Sequence, residues 1–184
     1  MRVWLALALC LLASAARADE RVSICYAYGC LAQTEVRYSD GQLDDVRRLL
    51  LAAPDAAGER EVLSQAVGRL YAWAGEQSDI RNDRGGNYAD GSTPGKMDCI
   101  DHSTSTTRLL GLLEARGYLR FHRVLPPESR NFAWLFVSHY SAVIEEKTDG
   151  EAPRFVVDSW FVDNGQPAVI LPLADWKKGA GPDV

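Results

Sequence analysis

The first half of the chain carries apolar residues at helical spacing, and each such stretch begins at an N-terminal helix signal. Ser39 to Gln42 has the pattern of a capping box, which predicts a helix with a buried face of Leu43, Val46, Leu49 and Leu50. Pro54-Asp55 predicts the end of that helix and the start of a second, whose apolar face is Leu63, Val67, Leu70, Tyr71 and Ala74. Asp98 is the predicted N-cap of a third helix, which runs to about Arg116 and stops at Gly117.

Beyond Gly117 the apolar residues recur with a period of two, which is the pattern of strands. Strands are predicted at residues 118–125, 135–145, 154–162 and 168–173, with turn signals at Pro126-Pro127, Asp149-Gly150 and Asn164-Gly165. A short extended piece is also expected at residues 34–38, and residues 79–96 are expected to form a long polar loop. Helices followed by an antiparallel meander predict a single α+β domain.

The first 18 residues have the layout of a cleavable secretory signal. A short positive start, Met1-Arg2, precedes an apolar run at residues 3–16, and Ala16-Arg17-Ala18 is an A-x-A cleavage site. The apolar run is shorter than the ~20 residues that a membrane span needs, so no membrane insertion is expected after cleavage. The sequence predicts a mature domain at residues 19–184, periplasmic in a Gram-negative source and secreted otherwise.

The charge of the chain argues against nucleic acid as a partner. The formal net charge is -5, and it becomes -7 when Arg2 and Arg17 leave with the signal. Beyond scattered pairs such as Arg47-Arg48 and Lys177-Lys178, the sequence has no basic patch.

Three cysteines remain after signal cleavage, and in an oxidising compartment this odd number predicts either one free thiol or an intermolecular disulfide. Cys25 and Cys30 are separated by four residues, and a local disulfide between them is the favoured pairing. Pairing of Cys99 with Cys25 or with Cys30 remains compatible with the sequence. In the favoured arrangement Cys99 is the free thiol.

Cys99 is the candidate nucleophile, because it stands in the first turn of the third predicted helix after a glycine-rich loop. A helix N-terminus stabilises negative charge and so favours thiolate over thiol. A nucleophilic cysteine also needs a base, and the chain has three histidines. His102 is expected to project from the helix, and His122 is compatible with either face of its strand. His139 lies in a strongly β segment.

Asp158 makes His139 the preferred base, since this carboxylate interrupts an apolar run at residues 155–161. If Asp149-Gly150 forms a two-residue turn, the residue numbers of each cross-strand pair add up to 299. His139 then faces Trp160, and Asp158 is its diagonal neighbour on the same face. A loop two residues longer, shifted by one residue, places Asp158 opposite His139. Both registers put imidazole and carboxylate on one surface, where the carboxylate orients the ring as in a catalytic triad. Trp134, Trp160 and Trp176 are expected to pack in the core and the hairpin.

The motifs at residues 98–101, 139–143 and 157–158 resemble the transglutaminase-like fold, and especially the bacterial transglutaminase-like cysteine proteinases. The resemblance covers roughly residues 87–162. It implies a Cys99, His139, Asp158 triad, with the cysteine-bearing helix packed on an antiparallel β-meander and with N-terminal helices before it. It also implies an exported enzyme.

The chain departs from this family at several positions. The family usually has an acidic calcium ligand directly after the cysteine, where this chain has Ile100. Only Asp98 and Asp101 match, so no metal and no other cofactor is expected. The tryptophan segment that precedes the cysteine motif has only Asn87-Tyr88 in its place, and the Cys25–Cys30 segment has no counterpart.

The favoured function is that of a thiol-dependent hydrolase of peptide or amide bonds, with an unidentified protein or peptide as substrate. The backbone N–H of Cys99 would hold the oxyanion, with Asn87 or Tyr88 as a second donor. One alternative is acyl transfer to an amine on the same triad. Another is a non-catalytic cell-envelope binding module that kept the fold.

Overall fold

The computed structural model describes residues 19–86, 91–132 and 137–182. The predicted signal peptide, Asn87, Tyr88 and Trp134 lie outside these ranges. The described residues form a mixed α+β structure with two antiparallel sheets. No helix in the described part of the chain is long and apolar enough to cross a membrane.

The helices of the first half begin at the predicted signals. Helix α1 (Asp40–Leu51) has the predicted capping box of Ser39 and Gln42, and α2 (Ala56–Gln77) is capped by Asp55. Helix α3 (Cys99–Ala115) begins at Asp98 as predicted. It ends at Gly117, whose φ of +71° and N–H bond to the Glu114 carbonyl form a left-handed C-terminal cap.

A two-stranded hairpin precedes these helices. Strand β1 (Glu20–Tyr26) pairs with β2 (Ala32–Tyr38), and the disulfide between Cys25 and Cys30 closes its turn. The predicted extended piece is the second strand of this hairpin. The sequence favoured this local disulfide, with Cys99 as the free thiol, and that prediction is confirmed.

The second sheet is a four-stranded meander in the order β3 (His122–Phe132), β4 (Val137–Glu146), β5 (Arg154–Asp158) and β6 (Val169–Pro172). A short helix, α4 (Leu173–Lys177), follows it and was not predicted. In each pair of β4 with β5 the two residue numbers add up to 299, as in Ala142 with Val157. This is the first of the two predicted registers.

The strand predicted at residues 118–125 is confirmed only from His122 onward, and the turn predicted at Pro126-Pro127 is wrong. The start of that range belongs to the end of α3, because the Tyr118 N–H bonds the Leu113 carbonyl. Strand β3 instead runs through both prolines, with a register shift between Leu125 and Glu128. It is an edge strand, and a bulge in an edge strand tolerates residues without a backbone N–H.

The strand predicted at residues 154–162 ends early, at Asp158. The chain turns there, and this turn buries Trp160 and Phe161 against the sheet instead of extending the ladder. The strand predicted at residues 168–173 is also shorter, since Leu173 already begins α4.

The meander buries both faces, because residues of β4 alternate between two clusters. Ala142 and Ile144 belong to the main core, which they share with α1, α2, α3 and the hairpin. Val143 packs on the opposite face with Val156, Trp160, Phe161 and Trp176, and the half-buried Cys99 contacts this second cluster. The start of α3 therefore lies against the ends of β4 and β5.

Candidate active site

The thiol of Cys99 stands at the first residue of α3. The Asp98 side chain accepts the N–H groups of Ile100 (3.0 Å) and Asp101 (2.9 Å), and Asp101 Oδ2 accepts the N–H of Asp98 (3.1 Å). This reciprocal cap fixes the helix start. As the first helical residue, Cys99 has a backbone N–H with no acceptor inside the helix. Its half-buried thiol is free, and Sγ lies 3.8 Å from the Ser138 carbonyl oxygen of β4.

His139 and Asp158 meet at the end of the β4–β5 ladder. His139 Nε2 lies 2.7 Å from Asp158 Oδ2, and both residues are buried, with exposures of 6% and 1%. Asp158 Oδ2 also accepts the indole N–H of Trp176 at 3.0 Å, and its Oδ1 accepts the N–H of Trp160 at 3.3 Å. The carboxylate is therefore held by three donors, and its position is fixed.

The environment of His139 favours its protonated form. Burial lowers the pKa of the ring, but hydrogen bonds to Asp158 and Cys99 and the charges of both outweigh it and raise the pKa to about 9. Because Nε2 is bonded to Asp158, Nδ1 is the ring nitrogen left for Cys99. The structure thus brings the three predicted residues together, in the order thiol, imidazole, carboxylate.

Three aromatic rings surround the imidazole of His139. The ring centroids of Trp160, Phe161 and Trp176 lie 4.8, 5.4 and 5.6 Å from it. These rings exclude water from the His139–Asp158 bond, and the faces of aromatic rings attract a cation. Trp160 and Trp176 were predicted as packing residues. The additional hydrogen bond from Trp176 to Asp158 was not predicted, because α4 was not recognised.

The disulfide loop is bound to the start of α3. Asp101 accepts the N–H of Tyr28 at 2.8 Å and of Cys30 at 2.7 Å, and Asp98 accepts the N–H of Gly29 at 2.9 Å. Residues 27–30 all have positive φ, between 58° and 69°, which turns consecutive N–H groups toward the carboxylates. Three of the four are not glycine, so this conformation is strained and depends on the disulfide and the carboxylates.

The carboxylates that match the family's calcium positions are thus already engaged by amide donors. Burial, together with the charge of Asp98, raises the pKa of Asp101 to about 6 even though its oxygens accept N–H bonds. The sulfurs of Cys25 and Cys30 lie near Asp101 as well, but they are joined in a disulfide. This donor set does not fit a resident metal, since its sulfurs are oxidised and its carboxylate oxygens face N–H groups.

The other two histidines have buried partners of their own. His122 Nδ1 lies 2.8 Å from Glu59 Oε1, which ties β3 to the start of α2. His102 projects from α3 into the protein interior. It lies between Asp83 and Ser159, at 3.0 and 2.8 Å.

Sequence reasoning missed Asp83 and Ser159. Ser159 interrupts the same apolar run as Asp158, and that signal could have identified it. Asp83 carries no comparable local signal, because it lies in a polar loop. The proposed oxyanion donors Asn87 and Tyr88 lie outside the described residues.

Compared with protein-family models, with curated proteins and with solved structures, the chain gives no match in any of the three. Functional inference for this site therefore rests on its own geometry.

Proposed function

We propose that the protein is a thiol-dependent hydrolase of peptide or amide bonds, with Cys99 as nucleophile, His139 as acid and base, and Asp158 as the residue that orients His139. The observation that carries the proposal is the buried His139–Asp158 pair, with 2.7 Å between Nε2 and Oδ2, beside the free thiol of Cys99, which is close enough to contribute to the raised pKa of the ring. A free thiol beside an imidazole that a buried carboxylate orients is the arrangement of an activated nucleophile with its base.

The chemistry follows from these positions. The Cys99 thiolate attacks the carbonyl carbon, and the carbonyl oxygen becomes an oxyanion near the N–H of Cys99, at the positive end of α3. The C–N bond then breaks as the His139 imidazolium gives its proton to the leaving amine. Water, deprotonated by the now neutral His139, attacks the resulting thioester and releases the carboxylic acid with the free thiol.

Asp158 stabilises the charged ring during this cycle. With its carboxylate on Nε2, the ring presents Nδ1 to the thiol, and the imidazolium persists at neutral pH because the pKa of His139 is about 9. The same arrangement suits acyl transfer, because an amine that enters in place of water would give a new amide.

Export belongs to the same proposal. The N-terminal segment has the layout of a secretory signal, and the Cys25–Cys30 disulfide is typical of oxidising compartments. In such a compartment the local pairing of Cys25 with Cys30 leaves Cys99 reduced.

A mixed peptide library, read by mass spectrometry, tests the proposed reaction. Wild-type protein should generate new peptide termini, and Cys99→Ser, which changes one atom of the side chain, should lose at least about 99% of that activity. Addition of methylamine separates the two acceptors, since transfer gives N-methylamides and hydrolysis gives free acids. Equal cleavage by wild type and Cys99→Ser would refute the assignment of the nucleophile, and no cleavage by either would favour the binding module.

A further inference from the structure

A second group of buried polar side chains lies directly behind the thiol site. This group, the His102 network, consists of Tyr71, Asp83, His102, Thr106 and Ser159. Each member is at most 4% exposed. None takes part in the proposed chemistry, although buried polar groups are costly unless every one has a partner.

The hydrogen bonds of the network form one continuous series. His102 Nε2 lies 3.0 Å from Asp83 Oδ2, and His102 Nδ1 lies 2.8 Å from the Ser159 hydroxyl. The Ser159 hydroxyl lies 2.9 Å from that of Thr106, which in turn lies 3.0 Å from the Tyr71 hydroxyl. Every polar side-chain group of this series has a hydrogen-bond partner, so the network is satisfied.

The network joins α3, which carries Cys99, to the end of β5, which carries Asp158. Within α3, His102 lies three residues after Cys99, and Thr106 lies seven residues after Cys99. Both side chains bond the hydroxyl of Ser159. Ser159 directly follows Asp158 at the end of β5. The helix of the nucleophile therefore holds the residue next to the carboxylate through two hydrogen bonds.

Asp83 extends the same connection to the chain before α3. Its Oδ1 accepts the N–H of Met97 at 2.7 Å, two residues ahead of Cys99, while its Oδ2 bonds His102 within the helix. One carboxylate thus fixes both sides of the thiol.

Asp83, His102 and Ser159 also have the contacts of a serine triad, but burial argues against a second nucleophile. Ser159 is 4% exposed, and the cavity beside it has a volume of about 10 Å³, which accommodates about one water molecule. An acyl substrate cannot reach its hydroxyl there. Ser159 also stands between two hydrogen-bonding groups of α3, which is the placement of a structural link.

We propose that His102, Ser159 and Asp83 are positioning residues that set the distance between Cys99 and the His139–Asp158 pair. This inference rests on the proposed function for its meaning in catalysis. The physical effect is local, because a shift of about 1 Å between nucleophile and base is enough to change reactivity by one to two orders of magnitude. A satisfied buried network resists such a shift.

The test removes the Ser159 hydroxyl and reads the triad without a substrate. In Ser159→Ala, the rate of Cys99 alkylation by iodoacetamide at pH 7 should fall about tenfold or more. The titration midpoint of the His139 ring, followed by NMR, should move below the wild-type value of about 9. Thr106→Val, which keeps the shape of the side chain, is the second variant and should change both readouts in the same direction.

Ser64→Ala is the matched control. Its hydroxyl also makes a tertiary hydrogen bond, to the Ala168 carbonyl at 2.6 Å, but it belongs to neither the triad nor the network. Ser64→Ala should lower the unfolding free energy about as much as Ser159→Ala does. It should leave the Cys99 alkylation rate and the His139 midpoint at the wild-type values. If Ser159→Ala and Thr106→Val match Ser64→Ala, the positioning role is refuted. Neither readout needs a substrate. The proposed function is tested separately, because it fails if the wild-type protein does not cleave peptides, whatever the two readouts show.

Discussion

Replacement of Asp158 by asparagine should abolish the elevated pKa of His139. The substitution keeps the size of the side chain and removes its charge. Asp158 Oδ2 accepts two donors, the His139 ring and the Trp176 indole, and the single oxygen of asparagine can take that place. The hydrogen bond to the ring then survives, but it joins a neutral acceptor.

The size of the effect follows from the loss of charge. A pKa of about 9 instead of 6.5 corresponds to ~3 kcal/mol in favour of the protonated ring. A hydrogen bond to a charged group contributes about 1.5–3 kcal/mol, and a neutral one about half of that. Burial of the ring acts in the opposite direction in both proteins. The His139 pKa in Asp158→Asn should therefore fall to about 7 or lower.

The raised pKa of His139 also makes the unfolding free energy depend on pH. The pKa of His139 is raised on folding, so the ion pair stabilises the folded protein fully below pH 6.5, and this stabilisation is lost as the pH rises through about 9. The difference in unfolding free energy between wild type and Asp158→Asn should accordingly be largest below pH 6.5. It should shrink between pH 6.5 and 9.

Heteronuclear NMR of histidine-labelled protein measures the midpoint directly, because only three imidazole rings need assignment. Asp149→Asn is the matched control, since it removes the same charge from an exposed position in the β4–β5 loop. It should leave the His139 titration unchanged. A wild-type midpoint near 6.5, or one that stays near 9 in Asp158→Asn, would refute the electrostatic account of the site.

Three further expectations concern the cysteines and the acidic groups. Cys25→Ser combined with Cys30→Ser should lower the unfolding free energy in urea by ~2 kcal/mol, the chain-entropy value for a loop this short, and no loss would show that the carboxylates hold the loop alone. Calcium should show no tight binding by calorimetry, because amide donors already occupy Asp98 and Asp101, and a single-site isotherm lost in Asp98→Ala would contradict this. Protein expressed with its first 18 residues and purified without reductant should begin at Asp19 and carry one alkylatable thiol, which intact-mass analysis would check.

Local signals predicted the parts of the fold that depend on neighbouring residues. The N-caps Ser39, Asp55 and Asp98 act within one helical turn, and each helix begins where its cap indicates. The β4–β5 pairing could be narrowed to two registers, because partners near a turn are close in sequence, and the structure has the first of them. Both registers predicted the proximity of His139 and Asp158.

Long-range packing decided the rest. Pro126-Pro127 has the composition of a turn, but pairing with β4 on the sheet edge keeps the chain extended through it. The hydrogen bonds between the disulfide loop and Asp101 span about seventy residues of chain, and His102 meets Ser159 across 57. The apolar run marks Ser159, but pattern and spacing contain no information on its long-range contacts, so the partners in the network behind the thiol could not be predicted.

The alkylation rate of Cys99 in wild type and in His139→Ala tests the central claim most directly. Iodoacetamide at pH 7, with the adduct mapped by peptide mass spectrometry, reports the nucleophilicity of this thiol without any assumption about substrate. Wild-type Cys99 should react faster than free N-acetylcysteine, and His139→Ala should slow it about tenfold or more, because the stabilising imidazolium is gone. Equal rates in the two proteins would contradict the account and leave Cys99 an unassisted thiol.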